Sequence, residues 1–129
     1  MKAKKIILLV DDDTDLVEAN KELLQFEGFE VHVAYDGKTG LQKAREIRPN
    51  LMILDVMMAH DTEGFDISRD VRKIPELKNM AVIILTGIKD KKHLPFCFEP
   101  DEDWLPVKAV LEKPVPPKTL VAEVRKYLA

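Results

Sequence analysis

The 129-residue chain has a single cysteine, Cys97, so no internal disulfide can form, and a reducing compartment is the better expectation. It has no long apolar run. IILLV, behind the basic start MKAKK, is too short for a signal-peptide core, and no stretch approaches the roughly eighteen apolar residues of a membrane span. Excess positive charge is missing too: 20 Lys+Arg stand against 23 Asp+Glu, net −3, which argues against the basic footprint of a nucleic-acid-binding domain. There is no internal repeat, no low-complexity segment, and neither G-x-G-x-x-G nor G-x-x-x-x-G-K, so dinucleotide and P-loop enzymes are unsupported. These absences lead to the expectation of a cytoplasmic protein without membrane insertion or direct nucleic-acid contact. What is present is 46% hydrophobic and 33% charged, the proportions of a soluble globular domain. Residues 1–129 are expected to form one domain with no output domain attached.

Short apolar runs alternate with amphipathic stretches, the pattern of βαβ units around a parallel sheet. Ile6–Val10 is continuously apolar, as a strand buried on both faces must be. Asp13 or Thr14 can cap a helix reaching about Phe26, with Leu16, Leu23 and Leu24 on one side and Gly28 as its stop. Val31, Val33 and Tyr35 alternate with His32 and Ala34 in a second strand; Asp36-Gly37 then turns into a short helix over 39–47, ended by Pro49. A third strand over 51–54 terminates in Asp55, residues 65–74 read as a helix stopped by Pro75, and a fourth strand over 81–85 terminates in Thr86. Residues 89–106 are irregular, holding Pro95, Pro100, Pro106 and the acidic run EPDED, so a helix there is short or broken. A fifth strand over 108–111 precedes Lys113-Pro114 and a last helix from Pro117 carrying Leu120, Val124 and Leu128. The fold class is thus α/β, with five strands and about five helices.

In an open parallel α/β sheet, ligands sit outside the carboxyl ends of the strands. Asp11 and Asp12 follow strand one, Asp55 strand three, Thr86 strand four and Lys113 strand five. If strands one and three are neighbours, three carboxylates converge. Two carboxylates about 4 Å apart repel by roughly 4 kcal/mol at an effective dielectric near 20, so such a cluster calls for protonation or a cation. A small hard cation with oxygen ligands, such as magnesium, suits it. An acidic cluster, magnesium, a hydroxyl and a lysine together suit a phosphoryl group, which one carboxylate can accept.

VDDD at 10–13, LDVMM at 54–58, LTG at 85–87 and EKP at 112–114 resemble, in that order and across essentially the whole chain, the signature positions of the response-regulator receiver domain. The resemblance implies a flavodoxin-like, doubly wound parallel sheet of order 2-1-3-4-5, which sets strands one and three side by side. It implies that Asp55 is the phosphoryl acceptor, that Asp12 binds magnesium directly and Asp11 mainly through water, and that the backbone carbonyl of Met57 is a further ligand. It has Thr86 contact the phosphoryl oxygens and Lys113 pair with them. The donor it implies is a phosphohistidine on a sensor histidine kinase or a histidine phosphotransfer protein. The readout is a changed protein–protein contact with an unknown output protein, by a monomer or a phosphorylation-dependent homodimer. Such a protein is a signalling module and not an enzyme beyond its own phosphotransfer and slow self-dephosphorylation.

The chain departs from the family's pattern in places. Ala59 stands where proline is common, the loop AHDTEG is one residue longer than usual, Val110 replaces the usual aromatic three before the lysine, and the interval from Thr86 to Lys113 is longer. Met57 and Ile88, two past Asp55 and Thr86, are apolar where side chains position the hydrolytic water, hence the slow self-dephosphorylation. Two other readings stay open. One is a degenerate receiver that binds partners without phosphorylation. The other is a haloacid-dehalogenase-type phosphatase on the D-x-D of Asp11 and Asp13, which Asp15 at the next alternate position, the lack of an acidic pair after Lys113 and the absence of room for a cap disfavour. Asp13 alone is explained by capping, Met52, Met57 and Met58 by packing, and Cys97 as an ordinary thiol. His32, His60 and His93 lack metal-ligand spacing, though His60 should rim the site. Trp104, Phe96 and Phe98 either pin the irregular segment or form a partner surface.

Overall fold

Apolar strands and half-apolar helices leave one economical solution, a central sheet covered on both faces. In the computed structural model, which describes residues 4–55, 73–77, 80–86, 109–112 and 115–128, the order of elements is β1 (Ile6–Val10), α1 (Thr14–Phe26), β2 (Glu30–Ala34), α2 (Gly37–Ile47), β3 (Leu51–Asp55), a 3-10 turn at Pro75–Leu77, β4 (Ala81–Thr86), β5 (Ala109–Glu112) and α3 (Pro117–Leu128). The five strands are parallel in the order β2-β1-β3-β4-β5, as the resemblance implies. The helix expected over 65–74 and the irregular segment 89–106 lie outside the described residues, except that Lys73 is helical and Ile74 packs against the core.

The continuous apolar runs now have their cause. Strand side chains alternate in direction, so Leu8, Val10, Met52, Leu54, Val82 and Ile84 enter one layer with Ala44 of α2 and Leu77 of the turn. Ile7, Leu9, Leu51, Ile53, Ile83 and Leu85 enter the other, with Val17 and Leu24 of α1 and Leu120 and Val124 of α3. Each fully buried aliphatic side chain is worth about 1.5–3 kcal/mol of transfer free energy, and β1, β3 and β4 supply them to both layers.

Helix ends follow local chemistry. Asp13 caps α1 by accepting the Leu16 N–H at 3.1 Å. The same helix stops in a Schellman arrangement: Gly28, at φ 97°, donates its N–H to the Gln25 carbonyl (3.0 Å), and Phe29 donates to Leu24 (3.1 Å). Asp36 caps α2 through the Thr39 N–H at 2.7 Å, so the helix begins at Gly37, two residues ahead of the expected start. β2 ends at Ala34. Tyr35 falls outside the strand and is exposed; the β1–β2 ladder closes one residue earlier, with the Asp11 N–H on the Ala34 carbonyl. The fifth strand is shifted by one residue from the expected 108–111.

Two contacts fix the sheet lengthwise. At the amino ends, Asn50 accepts the Ile6 N–H on its side chain (2.9 Å), donates its own N–H to the Ile6 carbonyl (2.8 Å), and accepts from Ala81 N–H (3.2 Å), tying β1, β3 and β4 together. At the opposite end, Gly40 lets α2 approach so closely that a Cβ there would lie 2.7 Å from Cγ2 of Val10, the last residue of β1.

Candidate functional site

The strand order sets the carboxyl ends of β1, β3, β4 and β5 in one row, and neighbouring strands run ~4.8 Å apart. β1 pairs with β3 so that Val10 faces Leu54. Continuing that register by one residue brings Asp11 level with Asp55. Asp55 in turn pairs with Leu85, and Thr86, the last residue of β4, pairs with Glu112 of β5. The backbone therefore gathers Asp11, Asp12, Asp55 and Thr86 at one edge of the sheet. Lys113 is next in sequence after Glu112. Lys113, Met57, Ala59, His60, Ile88, His93, Cys97 and Trp104 lie outside the described residues, as do the side chains of Asp55, Thr86 and Val110.

Asp11 and Asp12 are neighbours in the chain with opposite environments. Asp11 is 5% exposed, the one buried charged residue among those described, whereas Asp12 is exposed. Burying a carboxylate is costly unless hydrogen bonds or charge offset the lost hydration. Asp11 receives the N–H of Asp13 on Oδ1 at 2.9 Å, and its own N–H extends the β1–β2 ladder by bonding the Ala34 carbonyl at 3.1 Å. Asp13 then caps α1, so three successive aspartates do three different things: a buried acceptor, an exposed acid and a helix cap. The capping role expected for Asp13 holds, and Thr14 is the first helical residue instead.

Asp36 stands at the end of β2 beside this row. The N–H and hydroxyl of Thr39, with Oγ1 at 3.0 Å from Oδ2, hold its carboxyl below the ordinary carboxylate value. Its hydrogen bonds are used in capping, and it serves the scaffold. His32 is accounted for at the exposed edge, paired with Glu30 at 2.8 Å. Among the described residues there is no group of three or more metal-ligating side chains. One residue escaped sequence reasoning: Asn20, on the core-facing stripe of α1 between Val17 and Leu24, lines a small cavity with Asp11. A polar residue three after Val17 and four before Leu24 is the signal that could have found it.

Comparison with known proteins agrees with this geometry. The model of the response regulator receiver domain matches residues 7–125. The chain is 35% identical over 122 residues to the DNA-binding response regulator MtrA of Mycobacterium tuberculosis, covering 95% of this chain and 50% of MtrA. It is 41% identical over 81 residues to the CpxR homolog of Haemophilus influenzae, 63% of this chain and 34% of that protein. It thus spans about half the length, or less, of these curated relatives. Among solved structures, a CheY-like response regulator receiver domain protein from Methanospirillum hungatei superposes with TM-score 0.82 at 30% identity, covering 98% of this chain and 94% of that one. The chemotaxis response regulator CheY4 of Vibrio cholerae gives 0.81 at 27% identity, with 97% and 99% covered.

Proposed function

Since the chain belongs to the response regulator receiver domain family of two-component systems, we propose that Asp55 accepts a phosphoryl group from a phosphohistidine of a sensor histidine kinase or histidine phosphotransfer protein, in a magnesium-dependent reaction. The observation that carries this reading is the register: a buried carboxylate, Asp11, stands level with Asp55 where four strand ends meet. The protein is a signalling domain of that family and not a classical enzyme.

The donor set fits a hard cation. Asp11 and Asp12 offer only oxygen, and a buried carboxylate sharing a cavity with Leu9, Val17, Ile53 and Leu85 gains from a positive charge at its mouth. Asp11, Asp12, Asp55 and the Met57 carbonyl would hold magnesium, which supplies charge neutralisation on the phosphoryl oxygens. A carboxylate oxygen of Asp55 attacks phosphorus, the P–N bond of the phosphohistidine breaks, and the imidazole leaves with the bonding pair. Lys113 pairs with a phosphoryl oxygen and Thr86 hydrogen-bonds another, drawing the end of β4 toward the new group. The altered β4–β5 side is then read by an output protein. Apolar Met57 and Ile88 leave the acyl phosphate slow to hydrolyse.

MtrA is named as a DNA-binding regulator, and it is about twice as long as the stretch matched here. Nucleic-acid contact is no part of the role proposed for these residues. Intact-mass spectrometry after incubation with acetyl phosphate, with and without magnesium, tests the reading. A single magnesium-dependent phosphoryl adduct, absent in Asp55→Asn, is expected. No adduct, under conditions that label a control receiver, overturns it in favour of a phosphorylation-independent binding module.

A further inference from the structure

The core-facing stripe of α1 runs Val17, Asn20, Leu24, and the two flanking members are 1% and 0% exposed. Asn20 between them is half-buried, a polar side chain on a stripe otherwise fully covered. Leucine there would have better helix propensity and would add apolar burial against Leu9, Ile53 and Leu85. Instead, Asn20 lines a cavity of about 10 Å³ with those three side chains, Val17 and Asp11. That volume is at the threshold for one water, which also needs at least two polar partners. The Asn20 amide and the Asp11 carboxylate are the polar side chains lining it. A polar residue kept where an apolar one would stabilise the fold marks a site where stability has yielded to another demand.

We infer that Asn20 is a positioning residue for Asp11, acting through a single ordered water held in the cavity between α1 and the end of β1. The water donates to the carboxylate, and the amide orients the water, so the carboxylate is fixed from the α1 side while the Asp13 N–H fixes it from the chain. The consequence for metal binding rests on the magnesium reading above: outer-shell partners of a metal ligand typically change affinity 10–100-fold when removed.

Two variants and two readouts test this. Asn20→Leu fills the cavity and removes the amide; Asn20→Ser keeps a hydroxyl and the room for water. In metal-free protein, hydrogen exchange at the Asp13 N–H, which reports the bond to Asp11, is expected to quicken several-fold in Asn20→Leu and to stay near wild type in Asn20→Ser. The thermal midpoint of Asn20→Leu should rise. Calorimetric titration with magnesium chloride should show affinity roughly 10-fold weaker for Asn20→Leu, and within about twofold for Asn20→Ser. Unchanged Asp13 exchange in Asn20→Leu overturns the inference whatever the metal does, and so does equal loss in both variants, which would mean a helix effect alone. If wild type binds no magnesium while the exchange result stands, the magnesium reading fails and the positioning role survives.

Discussion

Replacing Gly40 by alanine tests the close approach of α2 to the end of β1. In an unconstrained helix interior this change stabilises by about 1 kcal/mol. Here the new Cβ would lie 2.7 Å and 2.9 Å from the two methyls of Val10, against the ~3.5–4.0 Å of ordinary carbon contacts. Val10 cannot step aside. It is 0% exposed, its branched side chain has few rotamers, and the layer around it is close-packed. Opening the missing ~1 Å therefore moves α2 or the end of β1, and overpacking of this kind costs about 1–3 kcal/mol. The net expectation is a loss of up to about 2 kcal/mol where propensity alone promises a gain.

A double-mutant cycle with Val10→Ala makes the reasoning strict. Val10→Ala removes both obstructing methyls and costs roughly 1.5 kcal/mol in transfer free energy plus a cavity term. In the double mutant the added methyl enters the space vacated. The pair should then be less destabilised than the sum of the singles by about 1–3 kcal/mol. Urea unfolding followed by circular dichroism, with slopes compared to confirm a common unfolded state, measures all four corners. A stabilised Gly40→Ala, or singles that add within about 0.5 kcal/mol, would refute the close approach.

Other perturbations test the scaffold piece by piece. Gly28→Ala meets open space but forces alanine to φ 97°, so it should cost about 1–2 kcal/mol in urea unfolding; an unchanged midpoint would remove the left-handed stop of α1. Asn50→Ala should cost about 1 kcal/mol and speed hydrogen exchange of the Ile6 N–H, while leaving Asp13 exchange at the far end of the sheet untouched. Asp36 has its carboxyl held below the ordinary value of 3.8 by Thr39, so its contribution is present above that value and is lost as pH falls through the folded one. The stability advantage of wild type over Asp36→Asn should accordingly shrink on acidification, and a difference constant from neutral to strongly acidic pH would sink the assignment.

Much of this was legible in the residues because the signals were local. Five apolar residues at Ile6–Val10 needed two covered faces, Asp13 and Asp36 had helix starts behind them, and Gly28 had the stop. The candidate site was chosen because polar residues end apolar runs, and strand ends are where an open sheet binds. What local signals lack is phase and neighbourhood. The face of α1 was expected to carry Leu16, Leu23 and Leu24, yet the fully buried positions are Val17 and Leu24; the sheet, not the helix, decides which stripe is covered. Tyr35 continues the alternation of β2 but is 42% exposed; nothing in EVHVA says that the ladder closes at Ala34. Gly40 reads as one more weak helix residue until the helix is laid on Val10.

The end of β1 is where these non-local facts combine. Val10 and Asp11 point to opposite faces, as successive strand residues do. From one side, α2 closes on Val10 through Gly40. From the other, α1 is tied to Asp11 through the Asp13 N–H and shares a cavity with it. Asn50 anchors the same strand at its far end. A strand held on both faces and at both ends has little freedom to respond to a new charge, so Asp11 is suited to be a fixed ligand and poorly suited to be a moving one. Under the proposed chemistry the response must then arise across the row, at β4 and β5, where Thr86 and Lys113 meet the phosphoryl group and where the chain departs from the family's usual aromatic with Val110. On that proposal the acid side of the site stays still, which would let a small displacement on the other side carry information.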